Sequence, residues 1–305
     1  MSKVMDLAGA PAAAAEAGYG IAPDGYRLPA ATHVGRVRLQ VGDLVRSQAW
    51  YEQVLGFRVL SRGDGMATLA AHGDDTPLVE LHERPGAKPV PQRGRVGLYH
   101  FAILLPDRAA LGRFISHLAD VGERFGASDH LVSEALYLHD PDGLGIEVYA
   151  DRPRSAWRAN GRELAMDTTP LDLRDVVASA RGEAWAGMPA GTTIGHVHLH
   201  VGDLREGAAF YHAALGLDVV VWSYPGALFL SAGGYHHHLG TNTWAGAGAR
   251  PPADDEAQLL EWELVVPSQA DVDAASRSLS DAGYPVADGV VADPWGTRLR
   301  LVAAG

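Results

Sequence analysis

The chain has 305 residues, 47% hydrophobic and 20% charged, which are the values of an ordinary globular protein of about two domains and exclude wholesale disorder. No run approaches the ~18 consecutive apolar residues of a membrane span, and 25 basic against 37 acidic side chains (net −12) argue against nucleic acid or an anionic membrane as partner. The absence of cysteine removes disulfides, thiolate metal sites and thiol nucleophiles, and leaves 14 histidines as the source of metal or acid–base chemistry.

Residues 1–32 are rich in Ala and Gly, with Pro11, Pro23 and Pro29, and read as a loosely ordered arm. The first twenty residues lack the apolar core of a signal peptide and the arginines of a transit peptide, so a cytoplasmic location is the expectation. Beyond the arm, GRVRLQVGDLVRSQAWYEQVLGFRVL, starting at Gly35, aligns without a gap on GHVHLHVGDLREGAAFYHAALGLDVV, starting at Gly195. Each copy has a strand of period-2 alternation, a Gly-Asp pair that caps a helix, and a glycine (Gly56 or Gly216) that ends it. Tyr51 and Tyr211 hold matched positions on these helices and are expected in the core.

A second unit begins at YHFAILLP, with a helix near 107–121 and strands around the Asp140-Pro141-Asp142-Gly143 turn. LEWELVVP, a helix near 268–282 and DPWGTRLRLV repeat that plan. The chain thus reads as four strand–helix–multistrand modules, A-B-A′-B′, divided as arm 1–32, N-terminal half 33–152, linker 153–193 and C-terminal half 194–305. The fold class expected is α+β.

Four such βαβββ modules resemble the vicinal oxygen chelate superfamily of glyoxalases, bleomycin-resistance proteins and extradiol dioxygenases. The strings GLYHFAILLPDR, DHLVSEALYLHDPDGLGIEVYADRPRSAW, IGHVHLHVGDL and SAGGYHHHLGTNTWAG resemble its catechol-2,3-dioxygenase branch, and the resemblance runs over about residues 33–302. It implies modules paired into cupped, barrel-like mixed sheets with helices outside. It also implies a divalent metal held by first-strand and last-strand residues, two histidines and a glutamate in the dioxygenases, with positions left open as suits Fe(II).

The resemblance assigns Arg36, His100, His196 and Glu261 to the first-strand positions, and Glu80, Glu147, His238 and Arg300 to the last-strand ones. Arginine has no lone pair to offer a cation. The expected metal therefore lies between modules two and three, on His100, Glu147 and His196, with His238 as a fourth or outer ligand. Sequential pairing of modules would instead gather His196, His238 and Glu261, and both pairings stand at this point. By period-2 alternation Arg36 and Arg38 share a face, as do Glu261 and Glu263, so modules one and four can meet through opposite charge.

For proton transfer the resemblance implies a His and a Tyr upstream of the glutamate, here His130 and Tyr137, while His198 and His200 share the face of His196 and could line the same cavity. The run His236, His237, His238 reads equally as an exposed polar stretch, and Arg154 with Trp157 could cover the cup. The activity implied is extradiol cleavage of a catechol- or hydroquinone-type ring. Its partners would be a small aromatic substrate and dioxygen, its metal Fe(II) or Mn(II), and its assembly a homo-oligomer. A glyoxalase-like isomerase or lyase using Ni(II) or Zn(II), or a metal-free protein that binds aromatic compounds, would use the same fold.

Overall fold

A computed structural model describes residues 18–91 and 93–305. Module one comprises β1 (His33–Val41), α1 (Leu44–Gln53), β2 (Arg58–Gly63), β3 (Met66–Ala70) and β4 (Val79–Glu83). Module two has β5 (Gly97–Leu104), α2 (Arg108–Val121), β6 (Gly126–Asp129), β7 (Ser133–His139) and β8 (Gly145–Asp151). The linker holds a short hairpin, β9 (Ala159–Asn160) with β10 (Glu163–Leu164), and α3 (Leu173–Ser179). Module three has β11 (Thr193–His200), α4 (Leu204–Ala208) continued by a π-helical turn, β12 (Asp218–Val221), β13 (Ala227–Ser231) and β14 (Leu239–Asn242). Module four has β15 (Gln258–Val266), α5 (Gln269–Asp281), β16 (Val290–Ala292) and β17 (Arg298–Ala303).

The helices start where the capping residues predict. Asp43, Asp107, Asp203 and Ser268 each accept backbone N–H groups of the first helical turn, a contact that contributes about 1 kcal/mol per helix.

The modules pair crosswise. One sheet of seven strands runs β16-β17-β15-β1-β4-β3-β2 and joins modules four and one; the other, of eight, runs β12-β13-β14-β11-β5-β8-β7-β6 and joins three and two. Sequential pairing is thereby corrected: Glu261 lies on the seven-stranded sheet, while His196 and His238 belong to the eight-stranded side.

The matched tyrosines hold each half of the chain together. Tyr51 Oη lies 3.4 Å from Asp140 Oδ2, and Tyr211 Oη donates to Asp293 Oδ2 at 2.8 Å. Both tyrosines are fully buried, so each module A helix is pinned to the turn of the module B that follows. The Asp140–Gly143 turn is also a docking element, because Asp142 accepts from the Gly42 N–H at 3.0 Å and pairs with Arg46.

The repeated glycines have a steric reason. The register of β11 on β5 shifts between Ile194 and His196, and that of β1 on β15 between Val34 and Val37. Such bulges re-aim the next side chain. A Cβ on Gly195 would fall on the Tyr149 hydroxyl, and one on Gly35 would stand 2.9 Å from the Glu263 Cβ.

The arm is corrected in part. Residues 1–17 lie outside the described residues, but 18–32 are docked rather than loose. Ile21 bridges to Val219, Leu28 is buried, and Arg27 makes a two-pronged ion pair with Asp218. Among the described residues no helix is long and apolar enough to cross a membrane.

Candidate metal centre

At the seam of the eight-stranded sheet, Ala102 of β5 has Glu147 of β8 on one side and His196 of β11 on the other. Cross-strand neighbours share a face, and His100, two residues earlier on β5, shares it too. The small Ala102 side chain leaves the space above it to the three larger groups. His100 Nε2 is 3.0 Å from Glu147 Oε2, His196 Nε2 is 3.3 Å from the same oxygen, and the two nitrogens are 3.4 Å apart. All three residues are buried, at 1–5% exposure.

Cis ligands on a divalent metal with bonds of about 2.0–2.2 Å are separated by this spacing. Among the described residues this is the group of His, Cys, Asp and Glu side chains able to hold an ion. A carboxylate deep in an apolar sheet needs a positive partner. Burial would push the Glu147 carboxyl up, but the His196 and His100 imidazoles against it hold it well below the usual carboxylate range. Burial pulls His196 down to about 4, so that Glu147 keeps its charge while His196 keeps its lone pair.

The triangle opens on a cavity of about 340 Å³, within the range of small-ligand sites. Its polar wall carries His130, Tyr137, His198 and His237, and its apolar wall carries Tyr99, Tyr224, Phe229 and Trp244. The linker closes one side with Met166, Asp167 and Thr168, and Thr168 Oγ1 lies 2.8 Å from Tyr224 Oη across the mouth. His130 and Tyr137 meet despite their seven-residue separation: His130 lies in the loop that joins β6 to β7, and Tyr137 stands on β7 opposite Gly126. The Asp167 carbonyl accepts from His130 Nδ1 at 2.8 Å, which leaves His130 Nε2 to accept from the Tyr137 hydroxyl in a short contact. Burial, and then the Glu147 charge, push the Tyr137 hydroxyl well above its ordinary value, so it keeps its proton.

Not every expected residue arrives. His238 is corrected: its backbone pairs with Val197 and Leu230, and its Nδ1 accepts from the Ala232 N–H at 3.2 Å, away from the triangle. The imidazole that does approach is His237, whose ring centre is 4.0 Å from that of His196. His236, His237 and His238 are all buried, which corrects the reading of an exposed polar run. His198 lines the cavity with no hydrogen-bond partner at its buried Nε2. His200 lies outside the cavity lining, where its Nδ1 is 2.6 Å from Asn242 Oδ1. Arg154 and Trp157 stack by Tyr235 behind the histidine run rather than over the cavity.

The sequence matches the glyoxalase/bleomycin resistance protein/dioxygenase superfamily over residues 33–148 and 193–302. The chain belongs to that superfamily. It is 46% identical over 258 residues to the catechol-2,3-dioxygenase of Bacillus subtilis (strain 168), covering 84% of this chain and 90% of that protein. It is 31% identical over 166 residues to biphenyl-2,3-diol 1,2-dioxygenase 3 of Rhodococcus globerulus, covering 48% of this chain and 86% of that one. Among solved structures, glyoxalase I from Zea mays shares the fold at 16% identity and a TM-score of 0.54, over 90% of this chain and 92% of that one.

The buried imidazoles make stability depend on pH. Burial pulls His238 down to about 3 and His196 to about 4, His198 and His237 well below their ordinary value, and His200 in the same direction. The unfolded chain takes up protons below about pH 6.5 that the native state refuses, so stability is present above that pH and falls as pH drops. Asp140, pushed up to about 7 by burial, acts in the opposite sense over this window and offsets one of these histidines, and Asp293, also raised by burial, works in the same direction as Asp140. Chemical denaturation of the metal-free protein between pH 7.5 and 5 is expected to lose stability at about 1.4 kcal/mol per pH unit for each uncompensated histidine. A flat or rising profile would contradict this.

Proposed function

We propose that the protein is an extradiol dioxygenase that opens a catechol- or hydroquinone-type ring, with the metal held by His100, Glu147 and His196. The observation that carries the reading is the triangle of two imidazoles and one carboxylate at one end of an aromatic-walled cavity. The 46% identity to a catechol-2,3-dioxygenase supports the same class. An all-nitrogen-and-oxygen donor set suits Fe(II) or Mn(II). When bound, such an ion supplies the open coordination positions and redox chemistry by which a catechol and dioxygen are brought to react.

The chain's own groups bind the ring and move protons. Tyr99, Tyr224, Phe229 and Trp244 line the cavity and offer ring faces to a planar aromatic. A substrate hydroxyl can pass its proton to the Tyr137 oxygen as the Tyr137 proton moves to His130 Nε2, with the Asp167 carbonyl holding His130 Nδ1–H in place. His237 Nε2, the nitrogen of that ring without a protein partner, is a hydrogen-bond acceptor on the cavity wall. The test is anaerobic reconstitution with Fe(II) or Mn(II), followed by oxygen uptake and formation of the yellow ring-fission chromophore. Consumption of one dioxygen per ring opened is expected. A metal-loaded protein inert toward a panel of catechols and hydroquinones would point to an isomerase or lyase, and a protein that takes up no metal would point to a binding role.

A further inference from the structure

Behind the cavity wall, Asp151 at the end of β8 meets the histidine run. Asp151 Oδ1 is 2.8 Å from His236 Nε2, and His236 Nδ1 is 2.7 Å from His237 Nδ1. His236 is fully buried and His237 is 5% exposed. Tyr235 donates to the same Asp151 oxygen at 3.2 Å, and the Trp157 ring lies 5.4 Å from the His236 ring, so the carboxylate and the imidazole are fixed from two sides.

The proton positions follow from donor and acceptor inventory. An ionised carboxylate only accepts, so His236 Nε2 carries the proton that Asp151 binds. A neutral imidazole has one N–H, so His236 Nδ1 has a lone pair and must accept. His237 Nδ1 is then the donor, and His237 Nε2 is left with its lone pair toward the cavity. Without the carboxylate, His236 could adopt either tautomer, and His237 could turn an N–H toward the cavity instead.

We propose that Asp151 is a positioning residue that, through His236, fixes His237 in the tautomer whose Nε2 faces the cavity as an acceptor. The tautomer stands independently of the reaction; its catalytic consequence rests on the dioxygenase reading. The test is long-range proton–nitrogen correlation on the full-length protein labelled with 15N-histidine and freed of paramagnetic ions. In the wild type, His237 Nδ1 is expected as a pyrrole-type nitrogen and Nε2 as a pyridine-type one. Asp151→Ala is expected to mix the two forms, and Asp151→Asn, whose Oδ1 still accepts, to restore the wild-type pattern. A pyrrole-type His237 Nε2 in the wild type, as a doubly protonated His236 would impose, overturns the proposal whatever the variants do. An unchanged pattern in Asp151→Ala overturns it too.

With the metal bound, Asp151→Ala is expected to lower kcat for ring opening by about tenfold at similar KM and metal content, an outer-partner effect, with Asp151→Asn recovering most of the rate. The expected nitrogen pattern in a protein that opens no ring would uphold the positioning role and refute the dioxygenase reading. The reverse result would refute the positioning role alone.

Discussion

Replacing Glu147 with glutamine is expected to weaken metal binding by roughly a hundredfold or more, since even outer partners of metal ligands contribute 10–100-fold. The substitution keeps the size of the side chain and removes the charge that balances the cation. It leaves His100 and His196 in place, 3.4 Å apart. His100→Ala should have a comparable effect, because it removes one corner of the same triangle. Metal content after dialysis, with a competition titration for affinity, reads the outcome. Full metal retention in Glu147→Gln would remove the carboxylate from the ligand set.

The second large effect belongs to the other sheet. There the corresponding row is charged throughout: Glu263 stands where Ala102 does, Arg300 where Glu147 does, and Arg36 where His196 does. Arg36 Nε pairs with Glu263 at 2.7 Å, while Arg38 Nη1 and Arg300 Nε reach Glu261 at 2.6 and 2.7 Å. Ion pairs thus fill the place that a metal would take. Glu261→Ala leaves Arg38 and Arg300 without their shared carboxylate.

Breaking a buried pair costs about 3–5 kcal/mol. These guanidinium side chains remain 23–29% exposed, so water offsets part of that. A loss of roughly 2–3 kcal/mol is expected, together with a Tm lowered by roughly 3–5 °C. Metal content should not change. Calorimetry paired with metal analysis separates the two sheets: a Glu261→Ala protein that loses its metal would contradict the division between a metal-binding cup and an ion-paired one.

Much of this was legible because it is local. The aligned copies at Gly35 and Gly195, the Gly-Asp caps and the terminating glycines each depend on a few consecutive residues, and all appear as expected. The crosswise pairing was legible through the ligand-capable side chains His100, Glu147 and His196 of modules two and three, and through charge, as Arg36 and Arg38 could find their partners on the strand bearing Glu261 and Glu263. Which histidine of the 236–238 run faces the cavity was not legible. β14 begins only at Leu239, so residues 232–238 precede the strand and alternation cannot fix which of His236, His237 and His238 faces inward. Tyr99, Tyr224 and Trp244 join the cavity wall from three separate segments, and the linker reaches it through Asp167 and Thr168. Contacts of that kind depend on how the sheets curl and leave no periodic trace in the chain.

The most direct test of the metal centre is anomalous diffraction from metal-loaded crystals, collected on both sides of the iron or manganese edge. One strong peak per chain is expected, bounded by His100 Nε2, Glu147 Oε2 and His196 Nε2. A peak beside His238, or among Arg36, Glu261 and Arg300, with the His100–Glu147–His196 triangle empty, would contradict it.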